Sequence, residues 1–273
     1  MADGSFPPSE PTDEQILHYE QEVKESHANQ RPLVGEREAL VELALEYQPD
    51  SPFRTQLEYL QTTTFGSVRR TRGDGNCFFR AFAFAWYEAV YTDAKRVRQA
   101  LTALERCTTW LRDSGFDTLV YEDFLETCVN CLNTLYENSQ ELSPEDAQSL
   151  LENTFRNPEE SNAIVVFLRF ITSAYLQQHA DDYVPFMEHD MDLKTFCVGF
   201  VEAMGVESDQ IHIMALTRAL QVDLRVAYVD GSAAQPQPVI HQFPSPDEHL
   251  SDEESTAISL LYRPGHYDIL YPL

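Results

Sequence analysis

Apolar residues recur three and four positions apart along the first two-thirds of this chain, and two apart in the last third. The first periodic stretch, DEQILHYEQEVKESH (13–27), predicts an amphipathic helix with a thin apolar stripe of Ile16, Tyr19 and Val23. Pro32 breaks it, and GEREALVELALEYQ (35–48) predicts a second helix with Leu40, Leu43 and Ala44 on one face. A third, FRTQLEYLQTTTF, leads into a glycine-bracketed turn, RGDGN. Past Cys77 the pattern predicts a long helix that turns Ala81, Phe82, Ala85, Trp86 and Ala89 inward. Further helices are predicted over 94–113, 121–137, 144–154 and 161–179. The last contains AIVVFLRFITSAYL, apolar nearly all round, and is therefore predicted to be buried.

The period then changes. SDQIHIMALTRAL predicts one more helix, with Ser208 as its N-cap. In QVDLRVAYVD, Val222, Leu224, Val226 and Tyr228 alternate with polar or small residues, which predicts a strand with one buried face. A loop rich in Pro and Gln follows, then acidic SPDEHLSDEES (245–255), predicted to lie in solvent. AISLLYR and HYDILYPL are predicted to be two strands joined tightly at Pro264-Gly265. Helices first and strands last make an α+β domain, helices packed around a small sheet. Residues 1–12, rich in Pro, Ser and acid, are expected to be a disordered tail.

Composition narrows the function classes. With 273 residues and 43% hydrophobic content, the chain can bury a sizeable core. The formal charge of −26 argues against nucleic acid and anionic membranes, both of which need a basic footprint, and suits a basic or mixed-charge protein partner. No apolar run approaches the length of a membrane span, and MADGSFPPSEPTDEQ lacks a signal-peptide pattern. A cytoplasmic or nuclear protein is expected. Five cysteines fit a disulfide framework poorly, and Cys128 with Cys131 forms a C-x-x-C pair that lacks a second ligand pair. On a helix their spacing puts both on one apolar face, so core packing is expected there rather than a metal.

Cys77 is the candidate for chemistry. The free N–H groups of a helix's first turn favour negative charge on a thiol and can also hold an oxyanion. Gly73 and Gly75 suit a tight bend close to a substrate. Among the histidines, His18 and His27 lie on the polar N-terminal helix. His179 and His189 lie near HADDY, and His241 and His249 near the acidic loop. His212 reads as a satisfied core or boundary histidine. His266 differs: it opens a strand, and Asp268, two residues on, projects from the same face. That spacing fits a carboxylate orienting a basic imidazole, and it equally fits the polar side of an edge strand.

GDGNCFFRAF together with LLYRPGHYDILY resembles the ovarian-tumour (OTU) family of cysteine deubiquitinases, and most of all its otubain branch. The likeness continues through PLVGEREALVELALEY, NAIVVFLRFITSAYLQ and ESDQIHIMALTRALQV, and spans roughly residues 13–271. It implies a papain-like OTU protease fold with a mostly antiparallel sheet. It implies Cys77 as nucleophile, His266 as general base and Asp268 as the group that orients the histidine. Asp74 matches the acid of the family's D-G-N-C motif and is expected to shape the oxyanion pocket rather than carry protons. The implied reaction is hydrolysis of the isopeptide bond at the C-terminus of ubiquitin, in chains linked through lysine forty-eight, with no metal or cofactor.

The resemblance further implies that residues 13–31 form a helix that holds ubiquitin and that 32–273 form the catalytic domain. Ubiquitin and polyubiquitin are the implied partners. The otubain branch also implies a second reading, a non-catalytic binder that inhibits ubiquitin-conjugating enzymes. A third is a general papain-like protease acting on unfolded peptides. One departure stands out: Gly73 replaces a proline common before the Asp. Its freedom predicts a loop that rests in an inactive arrangement until ubiquitin binds.

Overall fold

A computed structural model describes residues 31–186, 191–244 and 257–273. The predicted tail, the helix at 13–27 and the acidic segment at 245–255 lie outside the described residues. So do His18, His27, His189 and His249.

The described chain opens with strand β1 (Val34–Ala39) and helices α1 (Leu40–Leu45) and α2 (Pro52–Thr63). Strand β2 (Phe65–Thr71) then leads to α3 (Cys77–Val90), α4 (Ala94–Asp113), α5 (Thr118–Ser139), α6 (Pro144–Arg156) and α7 (Pro158–Gln178). Short turns α8 (Ala180–Tyr183) and α9 (Leu193–Phe196) precede a π-helical stretch, Cys197–Glu202. Helix α10 (Gln210–Leu220) and strands β3 (Asp223–Tyr228), β4 (Val239–Phe243), β5 (Ala257–Arg263) and β6 (His266–Pro272) complete it.

The strands form one mixed sheet in the order β1-β2-β6-β5-β3-β4. All neighbours are antiparallel except β3 and β5. The two faces of the sheet bury different cores. One packs Tyr267, Ile269, Leu260 and Val226 under α3 and the long helices. The other packs Leu270, Leu261, Ala227 and Val68 under Leu40, Leu43, Leu57 and Leu60 of α1 and α2. The helices are covered together with the sheet rather than as a separate bundle, the α+β arrangement expected.

Four local expectations are corrected. Residues 34–39 are a strand, not the start of a helix: VGEREA has helix-prone residues, but its backbone pairs with β2, Glu38 opposite Val68. FGSVRRT, whose Phe65 closes the third predicted helix and whose other residues carry no predicted element, is β2, and it buries Arg69 against Glu152 at 2.9 Å. VIHQF in the Pro- and Gln-containing loop is an edge strand. The cap of α10 is Asp209 rather than Ser208: its carboxylate accepts from the Ile211 N–H, and His212 closes a capping box with it.

The cysteine pair behaves as expected. Cys128 and Cys131 are both buried in the helical core.

Candidate active site

The site is assembled where β2 ends, α3 begins and β6 starts. Thr71 closes β2 with its N–H donating to Asp268 Oδ1 at 3.0 Å and its hydroxyl to the Tyr267 carbonyl at 2.5 Å. The chain then reverses through residues 73–76 and enters α3 at Cys77, with Asn76 in the cap position. Gly75 makes the reversal possible. Its φ is +73°, and a Cβ there would fall 2.0 Å from the Gly205 carbonyl oxygen, so only glycine fits.

Side chains lock this loop from beneath. Asp74 Oδ1 accepts from the Asn76 N–H at 3.0 Å and from Arg80 Nη1 at 2.8 Å. Arg80, wholly buried, also donates to Ser161 Oγ at 3.2 Å and Asn162 Oδ1 at 3.0 Å, tying the loop to the first turn of α7. Asn76 Oδ1 accepts from Arg169 Nη2 at 2.9 Å and from the Gly205 N–H at 2.9 Å. Asp74 thus spends its carboxylate on the loop.

Cys77 at the start of α3 helps hold the proton on His266 at the start of β6, and His266 Nε2–H donates to Asp268 Oδ1 at 2.9 Å. Asp268 is completely buried and also accepts from Arg263 Nη2 at 2.6 Å. A Cβ at Gly73 would sit 3.5 Å from His266 Nδ1, so the glycine packs flat beside the ring. Of the predicted site residues, Cys77, His266 and Asp268 come together in line, and Asp74 stands behind the loop.

Electrostatics support that line. Burial alone would push the His266 pKa down, but the charge and hydrogen bond of Asp268, together with Cys77, raise it to about 10. Burial alone would push Asp268 up, yet His266, Arg263 and the Thr71 N–H hold it at about 2. The imidazole therefore carries a proton beside the sulfur. Burial raises the thiols of Cys107, Cys131 and Cys197 to about 12, and that of Cys128 upward as well.

A cleft of about 350 Å³ opens at Cys77. Its lining includes Glu207, Asp209, Tyr228, Tyr262 and Tyr267. Spacing in the sequence missed these residues because the two cleft walls are far apart in the chain. It also missed Arg169, although one arginine inside an otherwise apolar helix was a readable signal. A thiol, a protonated imidazole and a buried carboxylate in sequence at the floor of a cleft can carry out acyl transfer through a covalent intermediate.

Comparison with known proteins identifies the family. The family model of peptidase C65, otubain, matches residues 26–272. The ovarian tumor domain-containing deubiquitinating enzyme 1 of Arabidopsis thaliana is 38% identical, over 91% of this chain and 84% of that protein. Ubiquitin thioesterase OTUB1 of Homo sapiens is 35% identical, over 95% of this chain and 90% of that protein. A solved h/ceOTUB1 in a structure with ubiquitin aldehyde and UBCH5B~Ub superposes with a TM-score of 0.80 at 29% identity. That match covers 95% of this chain and 98% of the other. The chain belongs to the otubain family, peptidase C65, and is a deubiquitinase of the cysteine type.

Proposed function

We propose that this protein hydrolyses the isopeptide bond at the C-terminus of ubiquitin, with Cys77, His266 and Asp268 as its reacting line. The observation that carries the reading is Cys77 at the first turn of α3, whose charge acts on an imidazole that Asp268 grips at 2.9 Å. Cys77 sulfur, as thiolate, attacks the carbonyl of ubiquitin's last glycine. The peptide N–H groups around the 74–77 turn receive the oxyanion. His266 gives its proton to the departing lysine amine as the C–N bond breaks, leaving a thioester. It then takes a proton from water, whose oxygen attacks the thioester and frees both carboxylate and thiol.

Polyubiquitin linked through lysine forty-eight is the proposed substrate, on the strength of kinship with the otubains. Residues 32–273 are the proposed catalytic domain, and 13–31 the segment that steadies a second ubiquitin. The test is intact-mass spectrometry after mixing the protein with ubiquitin carrying a C-terminal thiol-reactive electrophile. One ubiquitin adduct, lost in Cys77→Ala, supports the reading, and folded protein that forms none sinks it. Di-ubiquitins of each linkage, digested side by side, then decide the substrate.

A second reading has its own support, because the solved OTUB1 neighbours are complexes with UBCH5B~Ub and UBC13~Ub. In it the protein binds a charged ubiquitin-conjugating enzyme and blocks transfer. Cys77→Ala that still suppresses conjugation in a reconstituted reaction favours this role, and loss of suppression rejects it.

A further inference from the structure

Arg169 lies within VVFLRFIT of α7, flanked by apolar residues, and is wholly buried. A buried guanidinium is costly, the more so here because its Nε has no hydrogen-bond partner, and a Leu or Met would fill the same volume more cheaply. What an arginine adds is a rigid fork of donors with fixed directions. Here the fork reaches two separate loops. Nη2 donates to Asn76 Oδ1 at 2.9 Å and the Gly75 carbonyl at 3.0 Å, the two residues just before Cys77. Nη2 also meets the Val206 carbonyl at 2.8 Å, and Nη1 the Val201 carbonyl at 3.0 Å.

The guanidinium lies over the Phe79 ring, 4.5 Å from its centre, a cation–π contact that adds to its hydrogen bonds. Its hydrogen-bond partners are carbonyls and an amide rather than a carboxylate. Burial lowers its pKa, to about 10, while the negative charges of Asp74 and Cys77 work to keep it protonated. Asn76 completes the bridge by accepting from the Gly205 N–H at 2.9 Å. The loop that presents the thiol and the segment facing it are thus joined through one side chain from a third element.

We infer that Arg169 is a positioning residue for the thiol reaction, holding the 73–77 turn against the 201–206 segment so that the N–H groups beside Cys77 stay aimed at the substrate carbonyl. This rests on the reading of Cys77 as nucleophile. The rest of the cleft wall has its own anchor, Asp209 bonded to His212 at 2.7 Å and His212 to the Phe200 carbonyl at 3.1 Å. Substrate binding is therefore kept when the Arg169 fork is lost, and the loss appears in turnover.

The experiment compares wild type, Arg169→Lys, Asn76→Ala and the double variant on ubiquitin bearing a C-terminal fluorogenic amide. Thermal melting checks each fold. Arg169→Lys keeps a cation but not the planar fork, and kcat is expected to fall about 10- to 100-fold with KM within about threefold, the range for a reacting group slightly misplaced. Asn76→Ala is expected to lose part of this. The double variant is expected to lose little more than Arg169→Lys, because both remove one contact. Wild-type kcat in folded Arg169→Lys, or losses that multiply in the double variant, overturns the inference. Where Arg169→Lys melts below the assay temperature, Asn76→Ala decides, and wild-type kcat there overturns it. A wild type that forms no ubiquitin adduct at Cys77 overturns instead the reading of the site.

Discussion

Burial opposes charge at both His266 and Asp268, and each residue overrides that cost through the other. His266 is raised from 6.5 to about 10, so its contribution to stability is complete below pH 6.5 and disappears as pH rises through about 10. Asp268 is lowered from 3.8 to about 2, so its contribution is present above pH 3.8 and disappears as pH falls through about 2. The alkaline limb of kcat/KM is accordingly expected near pH 10, where His266 loses the proton it gives the leaving amine. Asp268→Asn is expected to move that limb toward the ordinary imidazole range and to lower kcat on the order of 10²-fold. A pH–rate profile of both proteins checks this, and an unmoved limb contradicts it. Gly75→Ala addresses the turn itself. Its positive φ costs about 1–2 kcal/mol for any side chain, before the clash with Gly205 is counted, so a urea titration should show at least that loss together with a sharp drop in turnover.

At the scale of elements, helix ends are the places where single residues matter most away from the site. Ser143 caps α6 by accepting from the Asp146 N–H at 3.1 Å, and Ser143→Ala is expected to cost about 1 kcal/mol in a urea melt with turnover unchanged. The helices from α3 to α7 were legible because their apolar faces repeat over many turns. Strands β5 and β6 were legible from alternation around Pro264-Gly265. Strand β3 was legible too, from the alternation of Val222, Leu224, Val226 and Tyr228, whereas β1, β2 and β4 were not, each for a physical reason. In VGEREA only Val34 is buried, so β1 carries no alternation to read. In FGSVRRT the core position goes to Arg69, which is held by Glu152 and lies 4.8 Å over the Phe84 ring. In VIHQF an edge position leaves most side chains in water. Within the site, Cys77, His266 and Asp268 were readable from a turn and an i, i+2 spacing. Arg169 stood out as a lone arginine in an apolar helix, but its role and those of Arg80 and Asn76 were not readable, because Ser161, Asn162, Val201 and Gly205 come near only in the fold.

On the scale of the whole molecule, the charge of −26 is a field of the entire chain rather than a property of any one contact. Ubiquitin's binding face is mildly basic, so kcat/KM for ubiquitin substrates is expected to fall about threefold or more between 50 and 500 mM salt, with kcat constant, as screening shortens the reach of that field. A KM that ignores salt would assign the acidity to solubility alone. The sheet order carries another consequence. Strand β6, the last of the described strands in the chain, lies in its interior between β2 and β5. Ribosomes deliver a chain from its N-terminus, so both halves of the sheet emerge before the seam that joins them. Until His266–Pro272 clears the exit tunnel, β1-β2 and β5-β3-β4 have no shared edge, and the thiol of Cys77 has neither imidazole nor cleft. A nascent chain of this protease is thus inert toward the ubiquitin around it until β6 has left the tunnel and settled between β2 and β5.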